Sequence, residues 1–396
     1  MLFLQPWFWA FAVTALAVYW VCPPRFKPYW LLLASAMFHY HFAGPAGVAP
    51  IIVLALLTYS VGLATAAQPA GRSYAMAMLV LVAALGFYKY SRLGARTGAA
   101  LLGFLGVHVA PEVWEWQLAG APLGISFFTF EFVHYLYEIR VHRRPAVRNP
   151  VHFALFAIFF PTLVSGPIKR FPDFVPQLAA LHNPGRAEMW LAVRRIIRGL
   201  FKKICIADLL VEYIKVFEDV PHFNAPLVVS LAVLQGWRIY YDFAGYSDIA
   251  IGFGQLFGLR LPENFDRPFG ATSLREFWRR WHMSLSAWIR DYIYIPLGGN
   301  RMHRGFNLAA AMLLCGLWHG AAWHFAIWGS YHGAGLAVEA AVRRRFPVAF
   351  GAARRWQVLG WLLCCAYVTY GWLLFFYPVA QVYTMTREAI IWWQPY

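Results

Sequence analysis

The sequence predicts an all-α, polytopic membrane protein, and three observations carry that prediction. Of its 396 residues 60% are apolar and only 13% are charged, against roughly 25% charged in a soluble domain. Apolar stretches of about 20 residues, long enough to cross a bilayer, recur along the whole chain. The chain also holds 19 Trp and 21 Tyr, side chains with an apolar ring and a polar tip that settle at the two membrane interfaces. One soluble core could not hide this much apolar surface. Lipid is its natural solvent, and in lipid the backbone must satisfy its own hydrogen bonds, as a helix does.

The first apolar run, about 4–22, is followed by Arg25 and Lys27 and lacks the basic leader of a cleaved signal peptide. This predicts an uncleaved first span with its N-terminus outside. Further spans are predicted near 29–43, 46–67, 74–90, 120–139, 150–165, 189–215, 224–244, 306–320, 321–341 and 357–377. Several are short, so a few are expected to be broken or re-entrant, with about ten to twelve membrane segments in all. Basic clusters occur at Lys89–Arg96, Arg140–Arg148, Lys169–Arg170, Arg194–Lys203, Arg275–Arg280 and Arg343–Arg345. They come too often for every second loop to be cytoplasmic, so either some segments do not span fully or some basic stretches lie flat on the membrane.

Two stretches read as amphipathic rather than spanning. Arg194, Arg198 and Lys202 recur every four residues and make one charged stripe on a helix, with Lys203 beside it; this is a candidate cytoplasmic face for lipid or an anionic donor. The stretch 273–294 mixes charges with aromatic rings. It is predicted as one helix, capped by Thr272 or Ser273 with Glu276 following, and too polar to face lipid. No repeat, low-complexity tract or soluble domain interrupts residues 1–396, which read as a single membrane domain.

The formal net charge of +16 lies between apolar segments with no nucleic-acid-binding module, so it is assigned to cytoplasmic loops and anionic lipid. Five cysteines, Cys22, Cys205, Cys315, Cys364 and Cys365, sit in or beside apolar runs without a Cys-x-x-Cys pair, which predicts neither a disulfide framework nor a zinc site. A nucleophile elbow, a phosphate loop and a metal-binding His-Glu-x-x-His are absent. The glycine run 252–258 has the wrong spacing for a dinucleotide loop, and Gly254 and Gly258 are predicted as a helix-contact pair.

Chemistry is sought among thirteen histidines. An ionisable side chain at membrane depth is costly and usually faces a cavity, a partner or a substrate path. His319, in the run 316–333 that also holds His324 and His332, has no ionisable neighbour in sequence to explain it, and Gly316 and Gly320 bracket it at helix-contact spacing. His282 lies 37 residues earlier among Trp278, Trp281 and Trp288, with Arg290 and Asp291 just beyond. Packing and chemistry both remain open for His282, and a structural ion pair remains open for Arg290 and Asp291. Asp242 and Asp248 lie six residues apart in a nearly apolar segment; they either orient histidines or pair with the arginines.

The segment 279–301, RRWHMSLSAWIRDYIYIPLGGNR, resembles the signature block of the membrane-bound O-acyltransferases. Supporting blocks stand in the same order: GISFFTFEF at 124–132, LVSGPIKR at 163–170, YYDFAGYSDIAIG at 240–252, PENFDRPF at 262–269 and GLWHGAAWHFAIWG at 316–329. The resemblance covers about residues 120–335 and is closest to the bacterial branch that modifies cell-surface polymers. It implies a ring of membrane helices around a central tunnel in the bacterial cytoplasmic membrane. By the Trp-His-Gly context, the family's central histidine falls on His319, and a second functional position falls on His282.

The resemblance further implies an O-acyltransferase that moves an acyl group from a cytoplasmic thioester to hydroxyls of a polysaccharide or envelope polymer outside. The donor would be acyl-coenzyme A or an acyl carrier protein, used as a co-substrate with no bound cofactor and no metal. The block IPLGGNR (295–301) favours acetyl, whereas YEIR (137–140) and the chain's shortness point to D-alanyl. Extracytoplasmic acyltransferase partners are expected, and a transporter or a scaffold is the competing class. In this reading His319 is the general base, His282 or Ser284 assists the oxyanion or positions the donor, and both imidazoles line one polar tunnel with Trp318, Arg290, Asp291, Asp242 and Asp248 in support.

Overall fold

The computed structural model describes residues 5–69, 71–107, 122–346 and 354–391. The starts of the predicted spans 4–22 and 120–139 fall partly outside these residues. The described residues are 79% helical, with no strand among them. It divides into two compact units: Met1–Ile197 with Ile249–Pro262, and Arg198–Asp248 with Glu263–Tyr396.

The first unit contains α1 (Pro6–Val21), α2 (Lys27–Ala67), α3 (Ser73–Phe104), α4 (Ile125–Arg140), α5 (Pro150–Ile158), α6 (Phe171–Leu178) and most of α7 (Arg186–Leu200). The two spans predicted at 29–43 and 46–67 are the two arms of α2, joined at Gly44 with φ 62° and ψ 178°. A residue without Cβ tolerates that conformation, and Pro45 immediately after it has no N–H for the helical ladder. At α5, the Asn149 side chain accepts from the backbone N–H groups of Val151 and His152, and Pro150 takes the first helical position, where its missing donor is harmless. The core is aromatic: Phe38 and Phe257 pack against Phe160, and the Tyr19 hydroxyl donates to the Phe257 carbonyl at 2.7 Å.

Lys169, which the sequence groups with a basic surface cluster, is instead only 2% exposed. Its Nζ lies 2.6 Å from Glu131 Oε1 and donates to Thr162 Oγ1 at 2.8 Å. A buried ammonium survives only with such partners.

The second unit holds a π-helical stretch, Phe201–Asp208, then α8 (Leu209–Glu218), most of α9 (Ala225–Leu256), α10 (Leu274–Arg280), α11 (Met283–Ile289), a π-helical turn Arg290–Tyr294, α12 (Arg304–His319), α13 (Trp323–Arg345), α14 (Arg354–Phe376) and α15 (Val379–Ile391). Two expectations are corrected. Gly254 and Gly258 do not form a helix-contact pair. Gly258, at φ 73°, closes α9: Leu259 N–H reaches the Gly254 carbonyl and Gly258 N–H reaches that of Gln255, the pairing of a left-handed helix cap. The stretch 273–294 is not one helix but breaks at Trp281 and His282, for reasons given below.

α2, α3 and α14 are long and apolar enough to cross a membrane. Large apolar side chains such as Leu79 at 70% and Leu363 at 63% exposure cover their outer faces. Such surface has lipid as its natural neighbour, and the chain is a membrane protein.

Candidate active site

The helix α10 starts where the sequence places a cap. The Ser273 side chain accepts from Glu276 N–H, while the Glu276 carboxylate accepts from the Thr272 backbone N–H at 2.8 Å and hydroxyl at 2.9 Å, a reciprocal capping arrangement. The helix stops seven residues later. Trp281 is extended, and His282 adopts φ 43°, ψ 56°, a left-handed conformation that a residue with a Cβ enters only at a cost of about 1–2 kcal/mol. α11 restarts at Met283.

The break is held by a residue that sequence reasoning missed, Asn264. Its backbone carbonyl accepts from Met283 N–H at 2.9 Å. Its side chain accepts from the Ser284 hydroxyl at 2.6 Å and donates to the Ser247 hydroxyl at 3.0 Å. Asn264 is 1% exposed. The sequence signal was its place in the block PENFDRPF, but the contact to residue 284 is not local and no helical period reports it. The Ser284 hydroxyl, expected to assist the oxyanion or to position the donor, donates to the Asn264 side-chain oxygen.

His282 is buried, and neither ring nitrogen has a hydrogen-bond partner. Its ring meets Phe243 edge-on at 4.5 Å and Trp318 at 5.9 Å. Burial, reinforced by the neighbouring His319, lowers its pKa well below the usual value, so His282 is a neutral imidazole at working pH.

His319 is the last residue of α12. It is half-buried and boxed by Trp318 at 4.9 Å, Trp328 at 5.2 Å and Phe375 at 5.1 Å. Trp318 therefore touches both imidazoles. Backbone contact places His319 against α13: a Cβ on Gly316 would lie 2.1 Å from the Phe325 carbonyl oxygen, and one on Gly329 would lie 2.3 Å from that of Met312. Gly316 does permit close approach, as the sequence suggests. Gly320 instead ends the helix in extended backbone, against the Phe325 ring.

The other two histidines of the run lie apart from this pair. His324 packs against Phe325, with tilted rings whose centroids are 4.1 Å apart. His332 is fully buried between Trp278 and Trp328, at 5.1 Å from each.

The acidic candidates serve as counter-charges. Asp248 takes Lys202 at 2.7 Å and Arg198 at 3.2 Å. Lys203 bridges Asp242 and Asp208. Of the two possibilities left open for Asp242 and Asp248, pairing with basic residues is the one observed. Much of the stripe's charge is neutralised in this way, and Arg194 remains exposed beside it. Arg290 and Asp291 pair with each other at 2.7 Å.

Comparison with known proteins gives one coherent result. The membrane-bound O-acyltransferase family matches residues 128–380. A probable alginate O-acetylase, AlgI, of Azotobacter vinelandii is 37% identical over 372 residues, which cover 91% of this chain and 72% of that protein. A peptidoglycan O-acetyltransferase of Helicobacter pylori is 32% identical over 401 residues, covering 89% and 71%. A teichoic acid D-alanyltransferase of Streptococcus thermophilus is 32% identical over 279 residues, 65% of each chain.

Proposed function

This chain belongs to the membrane-bound O-acyltransferase family, and on that premise we propose that it transfers an acetyl group from a cytoplasmic thioester to hydroxyls of a polymer outside a bacterial cytoplasmic membrane that it crosses several times. The observation that carries the reading is the meeting of His282 and His319 around Trp318. The backbone holds His282 in a left-handed conformation to achieve it, and such strain concentrates where function needs it.

The chemistry follows from the side chains. His319 Nδ1 or Nε2 accepts the proton of an acceptor hydroxyl as its oxygen attacks the thioester carbonyl carbon. The carbon–sulfur bond breaks, the thiolate leaves, and His319 returns the proton to it. Neutral His282 carries an N–H without a protein partner, suited to donate to the oxyanion that forms on the way. The aromatic rings around both imidazoles lower the local polarity, which strengthens both interactions. The donor is acyl-coenzyme A or an acyl carrier protein, and extracytoplasmic acyltransferases are candidate partners for final delivery to the polymer.

Acetyl is favoured by relatives named as O-acetylases and O-acetyltransferases, which align with about nine-tenths of the chain; the D-alanyl relative covers less of it. Reconstitution of the purified chain in vesicles with acetyl and D-alanyl thioesters, followed by mass spectrometry of the acceptor polymer, tests the reading. An acetyl adduct that vanishes in His319→Ala is expected. A D-alanyl adduct replaces the acyl group, and activity that survives in His319→Ala refutes the assigned chemistry.

A further inference from the structure

Resting on that reading, we propose that Tyr377 is a positioning residue for the transfer: a polar network around its hydroxyl fixes the end of α14, and with it the Phe375 ring that bears on His319. Three consecutive residues at this helix end, Phe375, Phe376 and Tyr377, each have a different partner within the second unit. Phe375 meets the His319 imidazole edge-on, with centroids 5.1 Å apart, and also packs on Phe325 at 5.0 Å and Trp328 at 5.2 Å. The Arg238 guanidinium lies over the Phe376 ring, 5.0 Å from its centroid. Tyr377 is 5% exposed. Its hydroxyl donates to Glu218 Oε1 at 2.5 Å and accepts from the Gln235 side-chain amide at 2.8 Å. Gln235, itself buried, accepts in turn from Arg238 at 3.2 Å.

The sequence makes this helix end a place that needs holding. Pro378 has no N–H to carry the helix on, and Tyr377 N–H closes onto the Leu373 carbonyl at 2.9 Å. At 3.6 residues per turn, residues 375 and 377 lie about 200° apart around the axis. The helix end is therefore gripped from two sides, by Glu218 and Gln235 on one and by His319 on the other. α9 comes close enough for this because position 236 has no side chain: a Cβ there would lie 2.7 Å from Trp372 Cδ1.

Phenylalanine at 377 would fill the same space without the hydroxyl. A phenol, an amide and a carboxylate gathered at the end of an apolar span carry a desolvation cost, and their mutual hydrogen bonds offset it only in one geometry. That geometry matters to the chemistry. A general base works when its nitrogen is aligned with the hydroxyl proton, and a displacement of about 1 Å can lower the rate by a factor of about 10². His319 is the last residue of α12, so the neighbouring rings take the place of a following helical turn in orienting its imidazole. Phe375 is the one of those rings that the network pins.

Steady-state transfer by the purified full chain in vesicles, measured per folded molecule, tests the proposal. Tyr377→Phe should lower kcat roughly tenfold or more and leave the KM of the thioester within about a factor of two. Glu218→Ala should act in the same direction. Glu218→Gln, whose amide oxygen still accepts from the Tyr377 hydroxyl, should recover most of the loss. Phe375→Leu removes the ring through which the network acts, so adding Tyr377→Phe to it should lower kcat no further. Modification of His319 by diethyl pyrocarbonate, followed by mass spectrometry, reads the same geometry without turnover. The half-buried His319 should react faster in Tyr377→Phe than in the wild type, while exposed His142 reacts at one rate in both.

A merely structural network would lower the yield of folded protein and leave kcat at the wild-type value, with independent effects of the Tyr377 and Phe375 substitutions. Wild-type kcat in Tyr377→Phe, full additivity in the double variant or an unchanged His319 modification rate each overturns the proposal. Where Tyr377→Phe fails to fold, equal kcat in Glu218→Ala and Glu218→Gln does so. Transfer that persists in His319→Ala refutes the proposed function instead, and the modification rates then still decide whether the network holds that imidazole.

Discussion

Substituting His282 separates the backbone role of this residue from its chemical one. Its φ of 43° costs a residue with a Cβ about 1–2 kcal/mol, and glycine does not pay that strain. At ordinary positions glycine is less stable than alanine by roughly 0.5–1 kcal/mol, because the unfolded chain is freer. At position 282 the order should invert. Both His282→Gly and His282→Ala lose the same buried ring and its contacts with Phe243 and Trp318, so the difference between them reports the backbone alone. His282→Gly is expected to be more stable than His282→Ala by about 1 kcal/mol, the strain relieved less the entropy of glycine. Tryptophan fluorescence during denaturant unfolding in detergent measures this, and both variants should lose most acyl transfer. Alanine as stable as glycine would refute the left-handed break, and with it the way His282 is brought to Trp318.

Four further outcomes are expected. His319→Ala should lower transfer by at least a factor of about 10² to 10⁴, the usual worth of a general base, with membrane insertion unchanged by protease accessibility. Asn264→Ala removes the acceptor of the Ser284 hydroxyl and the donor to Ser247; it should cost about 2–4 kcal/mol of stability and reduce transfer in the fraction that stays folded, while Asn264→Asp should do less harm than alanine. Gly329→Val drives a Cβ to within 2.3 Å of the Met312 carbonyl, and should destabilise the α12–α13 contact by about 1–3 kcal/mol or more, seen as a lower unfolding midpoint. Because burial lowers the His282 pKa, the unfolded chain takes up a proton near pH 6.5 that the folded chain refuses, so stability should fall as pH drops below that value. His282→Asn should show a shallower loss between pH 7 and pH 5 in the same unfolding assay.

The residues by themselves determined the solvent and the class. Apolar content, span-length runs and interfacial aromatics are local or additive properties, and an all-helical membrane protein follows from them without any contact between distant segments. The family was legible for a related reason, since its motif blocks stand in order along the chain. Local rules also found the start of α10, because the Ser273, Thr272 and Glu276 interactions span four residues. Local periodicity failed at Trp281 and His282. The helix breaks there because Asn264, eighteen residues before His282, holds Met283 and Ser284, a contact with no signature in a 3.6-residue pattern.

The same limit hid three other features. Asp248 neutralises charges some fifty residues earlier. Lys169 is a buried partner of Glu131 rather than a surface cation. The arginines of α10, α12 and α13 looked like separate loop charges until the helices placed their faces around one cavity. A charge cluster in a sequence gives a sign and a magnitude. Whether that charge meets a carboxylate, lipid or an open cavity depends on which helix faces meet, and only tertiary packing decides that.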